Sequence, residues 1–276
     1  MEEDWDNLLI FDGCRADLFE QVVDLSFFDD YRQVKSLGSA TGEWSIRNFS
    51  GKEFGDTVYV TGNPNPSKEA GDTFHYMDEV WRHSFDEEQL TVHPEAIIES
   101  TKEAIAKYPN KRLILHFMQP HRPFLHTEKV RYSSWQPDVQ DGVIQGTTQG
   151  DASNEGPDKP WEALERGYVD REEVWEAYAK NLEYVYDEVY DFLPDLPGRS
   201  VITSDHGNLL GERGLLIPIR NYGHGSNLRF KKLVTVPWAV YQTGERREIT
   251  EGDINSQSDA SEDEVQERLR DLGYLE

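Results

Sequence analysis

Acidic and imidazole side chains follow several apolar runs of the sequence, at the points where buried strands are expected to end. Asp12 follows NLLIF, and His121 follows RLILHFMQP. Asp205 and His206 follow VITS, and His224 lies in the loop before a further apolar run, LVTVPWAV. In open α/β sheets, binding sites lie beyond the carboxyl ends of the strands, so these side chains are expected to meet at one edge.

A divalent cation is the simplest shared partner for such a group. Carboxylates and imidazoles gathered without a cation would repel one another or change protonation state, and mixed Asp and His ligands are usual for divalent metals. Asp205 and His206 are therefore predicted to be adjacent metal ligands, in a backbone that can turn at Gly207.

Each of these residues also has a plainer interpretation when it is taken alone. Asp12 could form a turn or cap a helix, because it precedes a glycine. His121 could be an exposed loop residue, and His224 could cap a turn. Their recurrence at successive strand ends is what favours a shared site.

The elements that would position these residues alternate between strands and helices. Apolar runs predict strands at 7–11, within TVYVTGNPNP at 57–66, at 112–118, in RSVITSD and at 233–242. Helical periodicity appears in HPEAIIESTKEAIAKY and from about 171 to 194. This alternation is typical of a largely parallel sheet with helices on its faces.

Composition limits the classes of partner. The 276 residues suffice for one sizeable core, so a single domain over 1–276 is favoured over two. The formal net charge of -25 argues against a nucleic-acid partner. Because an acidic surface is tolerated best where salt screens it, we predict a halophilic protein; an ordinary acidic cytosolic protein is the alternative.

Targeting and loop signals are few. The N-terminal segment MEEDWDNLLIFDG has no secretory signal, no apolar run approaches the roughly 18 residues of a membrane span, and the lone Cys14 allows no internal disulfide. We therefore expect a cytoplasmic protein without a membrane span; the sequence does not indicate an oligomeric state. Residues 127–168 predict a polar insertion or lid, and 243–276 an acidic linker followed by a short C-terminal helix.

Five segments, in this order, resemble the alkaline phosphatase superfamily, and within it the sulfatase-like and phosphoglycerol-transferase-like branch. They are LLIFDGCRAD, SATGEWSIRNFSG, LILHFMQPHRPF, VITSDHGNLLGERG and YGHGSNLRFKKLVTVPWAVY, and the ending LRDLGYL resembles a tail common among sulfatase-like chains. The resemblance implies an α/β fold, an alkaline-phosphatase-like three-layer sandwich with a mostly parallel central sheet and helices on both faces.

The resemblance also assigns roles to residues. Asp12, Asp205 and His206 are the implied ligands of one divalent metal ion, which could be Mn, Mg, Ca or Zn, and Thr41 takes the position of the nucleophile at that metal. Many sulfatases carry a formylglycine there, made from cysteine or serine, which threonine cannot form. A metal-activated threonine alkoxide favours phosphate esters over sulfate esters.

Other residues around this nucleophile have expected roles or alternatives. His121 and His224 are expected on the far side, donating hydrogen bonds to oxygens of the transferred or leaving group. SATGEW could instead be only a Thr-capped helix start with Glu43 in its first turn, and Ser39 is a second candidate nucleophile.

Departures from the family pattern limit the prediction. The Asp-x-x-x-His element of two-metal members is not found between Phe124 and Val201, so a single ion is expected.

Arg15 and Asp17 are predicted to form an ion pair that braces the first loop, with Glu212 as a supporting residue.

The sequence as a whole predicts an enzyme: a metal-dependent sulfatase-like hydrolase or transferase acting on phosphate, less readily sulfate, esters. Its substrate would be a small molecule, a glycan or a lipid headgroup. The alternative is a catalytically degenerate sulfatase-like domain that serves as a metal-stabilised binding module. A nucleotide-binding domain is disfavoured because no Gly-rich phosphate loop follows the first strand.

Overall fold

The computed structural model describes residues 3–127, 129–130, 139–140, 143–144, 157, 159–214, 219–255, 260–272 and 274. Its strands are β1 (Asn7–Asp12), β2 (Asp30–Lys35), β3 (Phe54–Thr61), β4 (Phe74–Glu79), β5 (Phe85–Asp86), β6 (Thr91–Val92), β7 (Arg112–Pro120), β8 (Val139–Gln140), β9 (Val143–Ile144), β10 (Gly198–Thr203), β11 (Leu209–Arg213), β12 (Arg220–Gly223) and β13 (Thr235–Thr243). Its α-helices are α1 (Ala16–Val22), α2 (Thr41–Phe49), α3 (Pro64–Ala70), α4 (Val80–His83), α5 (Pro94–Lys107), α6 (Pro160–Arg166), α7 (Arg171–Phe192), α8 (Lys231–Val234) and α9 (Glu262–Asp271).

The central sheet has seven strands in the order β2-β13-β10-β1-β7-β3-β4. β1 lies parallel to β10 and β7, and β3 lies parallel to β7 and β4. β13 is antiparallel to both of its neighbours, β10 and β2. The prediction of an α/β fold with a mostly parallel sheet is therefore confirmed.

The central strand β1 shows how the sheet is covered on both faces. Leu9 and Phe11 belong to the large core cluster that includes residues of α1, α5 and α7. Leu8 and Ile10 belong to a second cluster, which includes Trp44 of α2. Because successive residues of a strand point to opposite faces, these two clusters place helices on both sides of the sheet, as the three-layer prediction requires.

Two elements that follow predicted strands were not predicted from the sequence. The strand expected within TVYVTGNPNP is present and ends at Thr61, but the helix α3, which begins at Pro64, was not expected. The side chain of Asn63 accepts a hydrogen bond from the backbone N–H of Asn65, and proline is favoured in the first turn of a helix because its missing N–H has no helical partner there. The second unexpected element is the antiparallel hairpin of β11 and β12, which lies between β10 and β13.

The two polar segments differ in how much the structure describes. Most of the predicted insertion at 127–168 lies outside the described residues. The predicted linker and helix at 243–276 contain α9, where Val265 and Leu269 are buried, and this helix lies against α3. Among the described residues, the helices are too short or too polar to cross a membrane.

Candidate metal centre and nucleophile

The end of β1 and the loop after β10 carry the carboxylates of the site, and hydrogen bonds join the two segments. Asp12 is the last residue of β1, and the neighbouring parallel strand β10 ends two residues before Asp205. The backbone N–H of Gly13 donates to Asp205 Oδ1 at 2.9 Å, and that of Cys14 donates to Ser204 Oγ at 2.8 Å. Strand pairing therefore brings both predicted carboxylates to one edge of the sheet.

His206 lies between these carboxylates. Its Nε2 atom is 3.4 Å from Asp205 Oδ2 and 3.8 Å from Asp12 Oδ1, and all three side chains have no exposed surface. Its Nδ1 atom lies 2.9 Å from the carbonyl oxygen of Gly207, which can only accept, so Nδ1 carries the proton and Nε2 presents a lone pair.

Thr41 places its hydroxyl at the same centre. Its Oγ1 atom lies 3.2 Å from His206 Nε2 and 3.5 Å from Asp12 Oδ2, and the residue is fully buried. The N-cap of α2 is Ala40, and Thr41 is the first helical residue, so a helix cap does not explain this threonine. Ser39 lies elsewhere: its Oγ is 2.8 Å from the carbonyl oxygen of Gly225.

The separations fit a divalent metal ion. Ligand atoms about 2.1 Å from a tetrahedral metal lie about 3.4 Å from one another. His206 Nε2 lies 3.2 Å from Thr41 Oγ1, 3.4 Å from Asp205 Oδ2 and 3.8 Å from Asp12 Oδ1, which is close to that spacing. Asp12 Oδ1 and Asp205 Oδ2 are buried without a hydrogen-bond partner. Both oxygens lie within 3.8 Å of His206 Nε2, and because buried polar atoms are nearly always paired, two unpartnered oxygens around one imidazole nitrogen indicate a cation site.

His116 is a fifth residue of this centre that the sequence analysis missed. It lies on β7, and one ligand atom from each of Asp12, His116 and Asp205 falls within 4.8 Å of the others. Its Nε2 atom is unpartnered and 3.7 Å from Asp12 Oδ2, while Nδ1 lies 2.9 Å from the hydroxyl of Tyr59. The available signal was a histidine in the middle of the buried apolar run RLILHFM.

His121 and His224 lie beside the centre, with their rings edge to face. The ring centroid of His224 lies 4.4 Å from that of His206 and 5.3 Å from that of His121. His121 Nδ1 lies 2.8 Å from the carbonyl oxygen of Arg122, which can only accept, so the neutral ring carries its proton on Nδ1. Its Nε2 atom then presents a lone pair and is buried without a hydrogen-bond partner. The structure thus brings both predicted imidazoles to the site, and His121 can donate from Nε2 only after gaining a proton.

Electrostatics favour an ionised Asp12 and neutral rings for His121 and His224. Burial by itself would raise the pKa of Asp12, but the imidazoles of His116, His121 and His206 hold it below its ordinary value. Burial lowers the pKa of His121 to about 4, although Asp12 opposes this shift. Burial and the adjacent His206 and His121 also hold the pKa of His224 well below its usual range.

Gly207 is required by space and not by a turn. Its φ is outside the left-handed region, but a Cβ there would lie 2.2 Å from the carbonyl oxygen of Lys232 and 3.0 Å from Arg15 Cγ. Its N–H donates to the carbonyl oxygen of Leu233 at 2.7 Å. The expectation that the backbone turns at this glycine is therefore replaced by a close approach of two chain segments.

Arg15 braces the loop after β1. Its guanidinium donates to both carboxylate oxygens of Asp17, at 2.9 and 2.8 Å, to Glu212 Oε1 at 2.7 Å and to the carbonyl oxygen of Asn208 at 3.0 Å. The predicted ion pair with Asp17 is present, and Glu212 extends it to β11. Cys14 is a buried, packed side chain.

A cavity of about 1090 Å³ is lined by Thr41 and His224. One wall is formed by Leu269 and Arg270 of α9 together with Tyr274. The charged residues that line it are Lys68, Arg122, Lys159, Arg270, Glu162 and Glu165. The lining is therefore net basic, in a chain whose formal net charge is -25.

No model of a known protein family matches the chain, and no curated protein matches it. Among solved structures, the chain is similar to the integral membrane protein lipooligosaccharide phosphoethanolamine transferase A (EptA) from Neisseria meningitidis, with a TM-score of 0.54 and 14% identity. This match covers 88% of this chain and 49% of that chain, so the protein spans about half the length of EptA.

Two periplasmic domains of phosphoethanolamine transferase EptC are also similar. The domain from Campylobacter jejuni has a TM-score of 0.50 and 18% identity, over 85% of this chain and 78% of that chain. The domain from Escherichia coli, solved in complex with Zn, has a TM-score of 0.50 and 13% identity, over 87% and 74%. The likeness is one of architecture, and the chain has the alkaline-phosphatase-like, sulfatase-like fold that its motifs predict.

Proposed function

We propose that the protein is a metal-dependent phosphoryl-transfer enzyme that uses Thr41 as its nucleophile on phosphate esters. The observation that carries this proposal is the position of Thr41 Oγ1, 3.2 Å from His206 Nε2 and 3.5 Å from Asp12 Oδ2. The phosphoethanolamine transferases that share the fold support phosphoryl transfer as the reaction class.

The ligands of the ion would be Asp12, Asp205 and His206, with His116 as a further ligand. A bound divalent ion lowers the pKa of a coordinated hydroxyl and neutralises charge on phosphoryl oxygens. The unpartnered atoms of Asp12 and Asp205 supply hard oxygen donors, which suit Mn, Mg, Ca and Zn alike.

Thr41 is held for attack by the start of α2. Its oxygen forms the new bond to phosphorus while the bond from phosphorus to the ester oxygen breaks. In this proposal the lone pair of His121 Nε2 takes the proton that Thr41 loses and then passes it to the leaving ester oxygen, and the phosphoryl group on Thr41 is afterwards transferred to water or an alcohol. His224 lies next to it, held by a hydrogen bond from Nδ1 to Asn208 Oδ1 at 2.7 Å.

The lining of the cavity supports an anionic substrate. Its net basic lining contrasts with the acidic composition of the chain, and like charge elsewhere on the surface would repel a phosphate ester. A small-molecule, glycan or lipid-headgroup phosphate ester fits this chemistry. Water and an alcohol are both compatible acceptors.

The test compares wild type with Thr41→Val and Thr41→Ser, each loaded with Zn²⁺ or Mn²⁺, in hydrolysis of bis(p-nitrophenyl) phosphate. Valine matches threonine in shape but lacks the hydroxyl, so we expect Thr41→Val to lose activity and Thr41→Ser to retain part of it. Mass spectrometry of the quenched reaction should find a phosphoryl adduct on Thr41.

Thr101→Val is the matched control. Thr101 is also buried and helical, but its hydroxyl donates to the carbonyl oxygen of Ile97, and its variant should keep full activity. Full activity in Thr41→Val would show that the nucleophile is wrong. A wild-type protein that binds Zn²⁺ but neither turns over nor forms an adduct would support the binding-module alternative.

A further inference from the structure

Tyr274 reaches the centre from beyond α9. Its hydroxyl donates to Asp12 Oδ2 at 2.5 Å. Asn63 Nδ2 donates to the same oxygen at 2.5 Å and lies 2.9 Å from the Tyr274 hydroxyl oxygen. The Oδ2 atom of Asp12 therefore accepts two short hydrogen bonds from separate parts of the chain, in addition to the longer contact of 3.5 Å with Thr41 Oγ1.

The other oxygen of Asp12 is left open. Oδ1 is buried, has no hydrogen-bond partner and lies 3.8 Å from His206 Nε2. Hydrogen bonds to one oxygen of a carboxylate fix the orientation of the whole group, and they therefore also fix the direction in which the other oxygen points. Here that direction is towards the side where Asp205 Oδ2, also unpartnered, approaches His206.

The ring of Tyr274 makes a second contact with the site. It stacks on the ring of His121, with centroids 4.7 Å apart and planes inclined by 8°. The ring of His224 lies 6.1 Å away at 56°. The stacked face fixes the plane of His121, whose Nε2 atom is otherwise unpartnered.

The segment that carries Tyr274 is itself anchored. Val265, Leu269 and Leu272 are buried in the core, and the N–H of Tyr274 donates to the carbonyl oxygen of Leu269 at 2.8 Å. Arg268 of α9 lies 3.9 Å above the ring of Phe85. Tyr274 is thus held by a packed helix, as a residue that positions others must be.

We propose that Tyr274 is a positioning residue of the metal centre, which together with Asn63 orients Asp12 towards the cation and with its ring orients His121. This inference rests on the proposed function, because it requires a cation between Asp12 and Asp205. The competing role for the same contacts is a plug, in which the phenol blocks the centre and must leave before the metal binds.

The experiment measures metal binding, without turnover, in wild type, Tyr274→Phe and the control Tyr190→Phe. Phenylalanine keeps the ring that stacks on His121 and removes the hydroxyl that holds Asp12. Tyr190 is 44% exposed and packs against Phe27, away from the centre. The dissociation constant for Zn²⁺ is measured by competition with a chromophoric chelator, and the visible absorption spectrum of bound Co²⁺ reports the ligand geometry.

We expect Tyr274→Phe to bind Zn²⁺ at least about tenfold more weakly than wild type and to change the Co²⁺ spectrum, as loss of a residue that orients a ligand does. Tyr190→Phe should match wild type, and the melting temperatures of the metal-free proteins should agree within error. Asn63→Ala removes the other donor to the same oxygen and should weaken Zn²⁺ binding in the same direction.

Two results would overturn the inference in different ways. Equal or tighter Zn²⁺ binding by Tyr274→Phe, with wild type binding normally, would refute the positioning role alone; tighter binding would identify a plug. Absence of Zn²⁺ and Co²⁺ binding in wild type would refute the proposed function together with the inference.

Discussion

Arg15→Met tests whether the buried guanidinium stabilises the loop behind the metal centre. Arg15 is 1% exposed, and its partners Asp17 and Glu212 are 32% and 22% exposed. Removing one member of a buried ion pair costs about 3–5 kcal/mol, because the remaining charges lose their partner. Since both carboxylates keep partial contact with water, we expect the lower end, about 3 kcal/mol of unfolding free energy.

The assay is urea denaturation of the metal-free protein, with the unfolding free energy taken by linear extrapolation. Arg32→Met is the matched control, because Arg32 is 47% exposed and pairs at 2.8 Å with Glu3, which is 53% exposed. Exposed pairs contribute about 0–1 kcal/mol, so this variant should stay within about 1 kcal/mol of wild type. A loss in Arg15→Met no larger than that in Arg32→Met would refute the reasoning.

Three further outcomes follow from the structure. Gly207→Ala should lower the unfolding free energy by about 1–3 kcal/mol in urea denaturation, because the added Cβ would lie 2.2 Å from the carbonyl oxygen of Lys232. An unchanged unfolding free energy would contradict this close approach of the two chain segments. Asp17→Asn should destabilise the protein at neutral pH and progressively less in acid. Burial alone would raise the pKa of Asp17, but Arg15 and Lys232 lower it from 3.8 to about 2, so its contribution is complete above about pH 4 and is lost as the pH falls towards 2. Urea denaturation across that range checks this, and a constant difference would contradict it. Arg270→Gln should raise KM for an anionic phosphodiester severalfold at low salt and leave kcat unchanged. High salt should remove the difference in KM between variant and wild type, because it screens exposed charge. A difference in KM that does not depend on salt would show that Arg270 does not attract the substrate by its charge.

The parts of the fold that the sequence predicts are those buried on both sides. β1, β7 and β10 are buried along almost their whole length because helices cover both faces of the sheet, and each contains a short apolar run that the sequence shows. The edge strand β2, with the sequence DYRQVK, is largely exposed, so it lacks an apolar pattern and was missed. The start of α3 was missed because Asn-Pro signals both the end of a strand and the start of a helix.

The candidate site divides in a similar way. Strand ends located Asp12, Asp205 and His206, since parallel strands deliver their carboxyl ends to one edge. Thr41 was located only by its resemblance to a family motif, because its neighbours come from other elements. Local spacing carries no signal for a contact as distant as that between Asp12 and Tyr274, which are 262 residues apart.

The hydrogen bond between Gly13 and Asp205 joins residues 192 positions apart in the chain. Contacts across so long a segment form late, because the intervening chain must lose its conformational freedom before they can be made. During synthesis, β1 leaves the ribosome long before the loop after β10 has been made, so Asp12 can contact Asp205 and His206 only when most of the chain is present. The cation is therefore expected to bind only after most of the chain has folded. Metal that is present early in folding should not increase the rate of collapse.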